Sequence, residues 1–588
     1  MLAQGQESSA KVKAAGINKS HGSSLCLVDE NGKPVFCASE ERFTRQKLQR
    51  GMPHKTFALA SQSYDLDRSK LAIGRLPTNK RIARELQYYV QGSRKRHFTI
   101  PLTNRLSEVA QFWFRKKILR DRQFHRLSVD TRYFTNRPLD FGFDHHLCHM
   151  ASAYYCSGFD EAAVVSIDGV GDLFSAAVGK GVGPKLEMEH GYHQSEHITG
   201  QAYEIVTAML GFDPDRHPGK VTGLAACADP PPELVDAFDN WFSDQYKAGA
   251  KDNWFHLIHQ TGNESENIHR LRKLRQERFG KWEREEIAAA IQLILERDVL
   301  SLIERHIPAE ERRNIALAGG VFANVKLNQR VKELGFDQIF IQPAMGDEGT
   351  GFGAALLAAH AHNPFSPYRL SDVYLGPEFS ANEIRRCLED AGLEYEQISG
   401  GEWPLEQRLA ELLHQGYIIA RYQGRMEFGP RSLGNRSILY HAQDPTANDW
   451  LNRQLKRSEF MPFAPVTLHD HGTDCYENLA GAEHTAEFMT MTFNVTEKMR
   501  GQSPACVHVD GTARPQLIRE EINPSYYWTL KYYHELSGIP SLINTSLNIH
   551  EEPIVCTPAE AIQAYESANL DALAIGDFLV INKQRKAR

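Results

Sequence analysis

Residues Asp144 to Asp172 read DHHLCHMASAYYCSGFDEAAVVSIDGVGD, and the fold turns on how this stretch is read. His145 and His149 are four positions apart, so a helix over HLCHMASAYY places both imidazoles on one face. AAVVSI then reads as a short buried strand, apolar and β-branched, that delivers Asp168 at its end ahead of a glycine-rich turn. Two imidazoles and a carboxylate converging from a helix and a strand end make a ligand set for a divalent transition metal. With 25 histidines in 588 residues, about one HxxxH pair is expected by chance. The pair alone is therefore a weak signal, and the adjoining strand and carboxylate carry the reading.

At 588 residues the chain is too long for one core and implies two to four domains. Hydrophobic residues at 41% and charged residues at 24% are ordinary globular values, and a net charge of −7 makes no whole-protein case for nucleic acid or membrane binding. Nine cysteines without a CxxC pair suggest neither a zinc ribbon nor a disulfide framework, and fit a reducing cytoplasm. The first twenty residues lack an apolar signal core, and no charge-free membrane-length run follows. The expectation is a soluble, cytoplasmic protein.

Near the start, SSLCLV and PVFCAS are strand-like, and the DENGK turn between them carries an Asn-Gly hairpin signal. His21 precedes the first of these strands, and Lys47 follows the charged EERFTRQK run. Between residues 80 and 132 the composition shifts to 14 Lys/Arg against 4 Asp/Glu, interleaved with YYV and FWF. The choice there lies between a lid or nucleic-acid surface and an amphipathic helical insertion with a wet basic face, and the insertion is favoured. Tyr203, Val206, Met209 and Leu210 have helical core spacing. HPGKVTGLAA reads as a glycine-bounded loop entering a helix, where Lys220 could meet a phosphate or simply sit on the surface. In NIALAGGVFANVKLNQRVKEL, strand, glycine turn (Gly319, Gly320, through Asn324) and helix let backbone amides approach a nucleotide. A second strand, turn and helix follow in IFIQPAMGDEGTGFGAALLAA, with Asp347 placed to complete a metal shell or hold a ribose. Two such units around a histidine pair predict a bilobal actin/sugar-kinase-like α/β domain over residues 1–362. AHAHNPFSPYRLSDVYLGPEFSANE is Pro-rich and aperiodic, which sets a linker at 363–377 and a second α/β domain at 378–588.

The second domain holds the densest motif, YQGRMEFGPRSLGNRSILYHAQDPTANDWLNRQLKRSEFMPFAPV. Arg431 and Arg436 flank SLGN, with Lys456 and Arg457 further on. Guanidinium forks hold phosphate bidentately, and Gly429 and Gly434 let the backbone come close. These arginines alternate with buried-type residues such as Phe428 and Leu433, unlike a solvated face. HVDGTARPQ (His508, Arg514) and PSLINTSLNIHEEP (Asn544, Ser546, Asn548) add donors on strand-like segments. Together they describe a basic pocket for phosphorylated small molecules.

These motifs, in this order, resemble the O-carbamoyltransferases of nodulation-factor and antibiotic biosynthesis (the NodU/CmcH family), from about Gly16 to Asp577. EFGPRSLGNRSIL, HVDGTARPQ and NTSLN are the specific motifs. HHLCH…SIDGVGD and AGGVFAN are shared more widely, including with the tRNA threonylcarbamoyltransferase catalytic subunit. The resemblance implies a first domain like that subunit followed by a YrdC-like domain. The second would make carbamoyladenylate from carbamoyl phosphate and ATP (with Mg), and the first would pass the carbamoyl group to a hydroxyl of a small-molecule acceptor, releasing AMP. It also implies a divalent metal, Fe(II), held by His145, His149 and Asp347 with Asp168 beside it. Lys47 and Gly319, with Gly320 and Asn324 in the same turn, would contact the carbamoyladenylate. Arg431, Arg436, Lys456, Arg514, Asn544 and Ser546 would form the second-domain site. Asp168 or His21 could accept the acceptor's proton, with Arg436 a further catalytic residue. The chain departs from the family pattern around LKRSEFMPFAP, at NTSLN in place of NTSFN, and at IHEEP in place of a stretch with Arg-Gly. The competing readings are a tRNA threonylcarbamoyltransferase-like enzyme, which the complete second domain argues against, and an inactive nucleotide-binding regulator. The hydrogenase-maturation carbamoyltransferases are excluded by the missing CxxC pairs.

Overall fold

The first lobe begins on β1 (Ala14–Asn18), β2 (Ser24–Val28) and β3 (Pro34–Ser39), the last two being the hairpin expected around DENGK. This is a computed structural model, and it describes residues 11–76, 80–81, 139–194, 196–246, 264–455, 463–549 and 551–583. Apart from Lys80 and Arg81, the basic segment 80–132 lies outside the described residues, as do Lys456 and Arg457. β1 pairs antiparallel with β2, placing Gly16 opposite Cys26, and β2 pairs antiparallel with β3. β4 (Lys70–Ile73) joins β1 in parallel and β5 (Phe141–Gly142) joins β4 in parallel, so the order is β3-β2-β1-β4-β5.

The second sheet repeats that plan. β6 (Glu161–Gly171), β7 (Phe174–Val182) and β8 (Lys185–His193) run antiparallel in succession. β9 (Asn314–Ala318) then lies parallel to β6, and β10 (Gln338–Ile341) parallel to β9. Order and direction match the first sheet strand for strand. Two copies of one five-stranded sheet form the bilobal actin/sugar-kinase-like arrangement read from the sequence.

Six helices matter to the site: α1 (His145–Ser157), α2 (Thr199–Met209), α3 (Pro218–Ala225), α4 (Arg284–His306), α5 (Val325–Glu333) and α6 (Glu348–His362). α1 packs on the second sheet, α6 on the first, and the two pack on each other, forming the layer between the sheets. That position explains why every residue of α1 except Leu147 is buried. A Cβ on Gly353 of α6 would stand 1.9 Å from the Cys148 carbonyl oxygen of α1, so the helices meet backbone to backbone. On α5, Leu327 and Val331 are fully buried on one face. Truncating either would cost about 2–5 kcal/mol.

Residues 363–377 contain no helix or strand, only a bridge from Arg369 to Ser157. They are nonetheless anchored: Tyr368 N donates to Tyr155 O, Leu370 N to Cys156 O, and Gly376 N to Met426 O. The remainder is built on an eight-stranded mixed sheet. Its strands are β11 (Glu396–Gln397), β12 (Ile419–Tyr422), β13 (Arg436–His441) and β14 (Ala464–Leu468), then, after a separate pair β15 (Phe493–Asn494) and β16 (Thr512–Ala513), β17 (Gln516–Ile518), β18 (Ser541–Ser546), β19 (Ala572–Ile575) and β20 (Phe578–Ile581). The C-terminal part packs directly on the N-terminal lobes. Arg42 donates to Gly429 O at 2.7 Å, Asn328 to Thr490 O at 2.6 Å, and the His484 ring stacks on Phe340 at 5.0 Å. All nine cysteines are free thiols. Among the described residues, no helix is long and apolar enough to cross a membrane.

Candidate active site

The Asp144 carboxylate caps α1 by accepting from Leu147 N at 2.8 Å, which fixes the first helical turn. His145 and His149 then face the end of β6, where Asp168 sits, and the turn before α6, where Asp347 sits. His145 Nε2 and His149 Nε2 lie 3.1 and 3.2 Å from Asp168 Oδ2. Asp347 Oδ1 is 3.5 Å from His145 Nε2 and 3.8 Å from His149 Nε2. All four donor atoms fall within 4.8 Å of one another. A first-row cation about 2.1 Å from each ligand holds adjacent donors about 3.0–3.4 Å apart, so this spacing fits one.

The charges say the same. Burial works against a charge on His145 and on His149, yet Asp168 and Asp347 outweigh it, raising His145 and holding His149 up at about 9. Burial likewise opposes charge on Asp168, but its bonds to the two imidazoles hold it well below the usual carboxylate range. Two carboxylates this close can be balanced by two imidazolium protons, and a divalent cation supplies the same two charges at one point. His146, between the pair in sequence, plays a different part: its Nδ1 meets Ser166 Oγ at 2.8 Å, its Nε2 meets Phe174 O at 3.0 Å, and burial lowers its pKa to about 4.

His21 stands beside this cluster with Nε2 3.7 Å from Asp347 Oδ2 and its side chain 45% exposed. Ser20 Oγ donates to the same carboxylate oxygen. Gly319 has φ of 109°, and a Cβ there would stand 2.2 Å from Ile167 O. Only glycine lets the turn after β9 cross the end of β6 so closely. A Cβ on Gly320 would lie 2.8 Å from Asp168 Oδ1, which places this turn beside the histidine–aspartate cluster.

A cavity of about 670 Å³ opens between the N-terminal lobes and the C-terminal part. Lys47 and Lys220 line it from one side, and Arg431, Arg514, Asn544 and Ser546 from the other. Arg431 and Arg514 have no hydrogen-bond or ion-pair partner among the described residues, and Arg431 Nε is buried without an acceptor. Burial lowers Arg431 to about 10 against the pull of Glu348; burial and then the charge of Arg431 push Arg514 well down. Two guanidinium groups that lack a partner among the described residues and face a cavity could hold an anion.

Residues 13–356 match the protein family described as Carbamoyltransferase N-terminus, and residues 410–582 match Carbamoyltransferase C-terminus. The chain belongs to the carbamoyltransferase family. It is 36% identical to an uncharacterized protein of Methanocaldococcus jannaschii over 469 residues, covering 75% of this chain and 74% of that one. Nodulation protein NolNO of Sinorhizobium fredii is 33% identical over 75% of this chain and 64% of its own. Nodulation protein U of the same organism is 27% identical over 92% of this chain and 94% of its own. Solved structures are more distant. Component A of the (R)-2-hydroxyglutaryl-CoA dehydratase of Acidaminococcus fermentans is 13% identical and covers 60% of this chain and 99% of its own, and HypF of T. kodakarensis is 10% identical and covers 61% and 49%. Both superpose at a TM-score of 0.30, too low to bear on the site.

In this carbamoyltransferase the structure brings most of the expected site residues to two places. His145, His149, Asp168 and Asp347 form the cluster, with His21 and the Gly319–Gly320 turn beside it; Lys47, Arg431, Arg514, Asn544 and Ser546 line the cavity. Two expected residues are occupied elsewhere. Asn324 caps α5 by accepting from Leu327 N, and its amide donates to Gln292 Oε1 at 2.7 Å and Thr222 Oγ1 at 3.2 Å. Arg436 is wholly buried; it donates to the carbonyls of Gln423, Gly424 and Asn435, lies 3.7 Å over the Tyr422 ring, and does not line the cavity. Sequence reasoning passed over Ser20, Asp172 and Glu427. Asp172, the second aspartate of SIDGVGD, accepts from His145 N at 3.2 Å and from Leu76 N at 2.7 Å, holding the start of α1. Its place in the opening stretch was the signal that could have found it.

Proposed function

We propose that this carbamoyltransferase makes carbamoyladenylate in the cavity and transfers its carbamoyl group to a small-molecule hydroxyl at the His145/His149 cluster. Residues 1–362 would be the transfer domain, 363–377 the linker, and 378–588 a YrdC-like adenylate-forming domain. The observation that carries this reading is the pair Arg431 and Arg514, unpaired and facing a cavity lined from both domains. A nucleoside triphosphate and a carbamoyl phosphate both need such groups.

The chemistry balances in three steps. Water releases carbamate and inorganic phosphate from carbamoyl phosphate; the carbamate oxygen attacks the α-phosphorus of ATP, and pyrophosphate leaves. Arg431 and Arg514 would bind the phosphoryl oxygens and stabilise the charge that develops on them. An acceptor hydroxyl then attacks the carbamoyl carbon and AMP leaves. His21, half-exposed with its Nε2 turned toward Asp347, would take the hydroxyl proton at its other ring nitrogen, Nδ1, whereas Asp168 Oδ2 is engaged by both imidazoles. His145, His149, Asp168 and Asp347 would hold a divalent first-row cation, Fe(II) in our reading, and their mixed nitrogen and oxygen donors suit one. When bound, that cation would polarise the carbamoyl carbonyl. We place the reaction in the cytoplasm, where nine free thiols stay reduced.

The test incubates the protein with ATP, Mg and carbamoyl phosphate without acceptor. Pyrophosphate release that depends on carbamoyl phosphate supports the reading; silence from metal-loaded, folded protein rejects it.

A further inference from the structure

Arg431 reaches the cavity from a loop, EFGPRSLGNR, that links the end of β12 to β13. Gly429 and Gly434 hold φ of 116° and 114°, which L side chains rarely adopt. A Cβ on Gly434 would also stand 2.3 Å from the Tyr526 ring, so the loop is pressed against the helix behind it. Its amides turn inward. The N–H groups of Leu433, Asn435 and Arg436 converge on a single oxygen, Glu427 Oε1, at 2.9, 2.8 and 3.1 Å.

Converging backbone amides make an anion-binding concavity, which would ordinarily be read as a phosphate cradle. Here the chain's own carboxylate fills it, and Glu427 is only 1% exposed, so water cannot take its place. The carbonyls are held as firmly. Arg421 donates to Gly434 O at 2.7 Å, Arg436 to Asn435 O at 2.8 Å, and Tyr374 to Leu433 O at 2.8 Å. Arg421 and Arg436 are both wholly buried and point away from the cavity. Arg431 alone among these arginines faces it, opposite Arg514. The charge of Arg431 is felt at Arg514, and like charges repel, so a free loop would relax away; something rigid must hold Arg431 in place.

We propose that Glu427 is a positioning residue for the anion site, fixing the 431–436 loop through three backbone amides so that Arg431 stays opposed to Arg514. This rests on the reading that Arg431 and Arg514 bind the phosphate of carbamoyl phosphate. Glu427 itself never touches substrate.

The probe is inorganic phosphate, titrated calorimetrically into the full-length protein, with the KM for carbamoyl phosphate in pyrophosphate release as the second readout. Arg431→Ala should weaken phosphate about tenfold or more. Glu427→Ala should do the same, and Glu427→Ala with Arg431→Ala should be no worse than Arg431→Ala alone, because one residue acts through the other. Glu427→Gln should stay within about threefold, since the amide oxygen can still accept from all three N–H groups. Glu427→Asp keeps the charge but pulls it back by one methylene, and should weaken phosphate about fivefold even if the alanine variant fails to fold. Metal content at the His145/His149 cluster should not change in any of them. Wild-type phosphate affinity in Glu427→Asp or Glu427→Ala, or losses that add to that of Arg431→Ala, would overturn the proposal. If Arg431→Ala itself keeps wild-type affinity, the anion site is misplaced and the functional reading falls first.

Discussion

His145 and His149 meet at their Nε2 atoms, 3.1 Å apart, with the Asp168 carboxylate closing the triangle at 3.1 and 3.2 Å. A neutral imidazole N–H can donate across such a gap, and a cation bound between the two rings would hold the nitrogens at a similar spacing. The cluster lies in the N-terminal lobes, whereas the guanidinium pair belongs to the C-terminal part, so the two should separate genetically. His149→Ala is expected to lose bound metal and acceptor carbamoylation while still releasing pyrophosphate from ATP and carbamoyl phosphate. Metal analysis and the two activity assays on one preparation decide it. A folded variant that loses pyrophosphate release as well would mean that the two sites are one.

Arg514 makes the complementary case. Its guanidinium has no partner among the described residues and feels the like charge of Arg431, which a bound anion would offset. Arg514→Ala should raise the KM for carbamoyl phosphate about ten- to a hundredfold, the loss of one charge-assisted contact. With the repulsion relieved, its melting temperature should equal or exceed that of the wild type. A variant that melts lower and keeps its KM would make Arg514 a structural residue.

Most of the two lobes was legible in the sequence, because hairpin turn, β-branched runs and glycine turns each have a local cause. The repeat of one strand order in two sheets was not, since β6 through β8 carry no signal that ties them to β1 through β3. The cluster was legible in outline: HxxxH and the strand-end Asp168 are local patterns, and Asp347 comes from a turn of recognisable shape. The setting of Arg436 was not legible. Its setting among Gly, Ser and Asn looks like a phosphate loop, and nothing in a linear pattern tells a guanidinium aimed at ligand from one buried on Tyr422 and three carbonyls. Glu427 escaped notice for the same reason, since the amides it accepts from are named only by the folded loop.

Lys326 of α5 and Asp510 pair at 2.8 Å across the cavity wall, tying the two parts of the chain together. Burial pushes the Asp510 carboxyl up, but His508, Lys326 and Thr512 outweigh it and hold it far below the usual range. A depressed carboxylate stabilises the fold above its unfolded pKa of about 3.9, and that contribution fades as pH falls toward the folded value. Asp510→Asn should therefore lower stability by about 1–3 kcal/mol at neutral pH. The gap from wild type should stay flat from about pH 8 to 5 and narrow only below about pH 4. Denaturant unfolding across that range measures it; a gap that closes already near pH 6.5 would assign the effect to a histidine.

Carbamoyladenylate is a mixed anhydride that water destroys, and releasing it to solvent between sites would waste it. Arg431 lines the cavity, and Glu348, the residue after the cluster's Asp347, pulls on its charge. The two parts of the chain are also packed rather than tethered, with Arg42 on Gly429 O and Asn328 on Thr490 O. The intermediate is therefore expected to pass within one molecule. Mixing Arg431→Ala with His149→Ala, each intact at the other site, tests this directly. If transfer is internal, the mixture forms little product from ATP and carbamoyl phosphate, although each variant keeps its own half-reaction, Arg431→Ala with added carbamoyladenylate and His149→Ala by pyrophosphate release. Efficient product formation that falls as both proteins are diluted would show the intermediate diffusing freely, and the internal route would have to be abandoned while both site assignments stood.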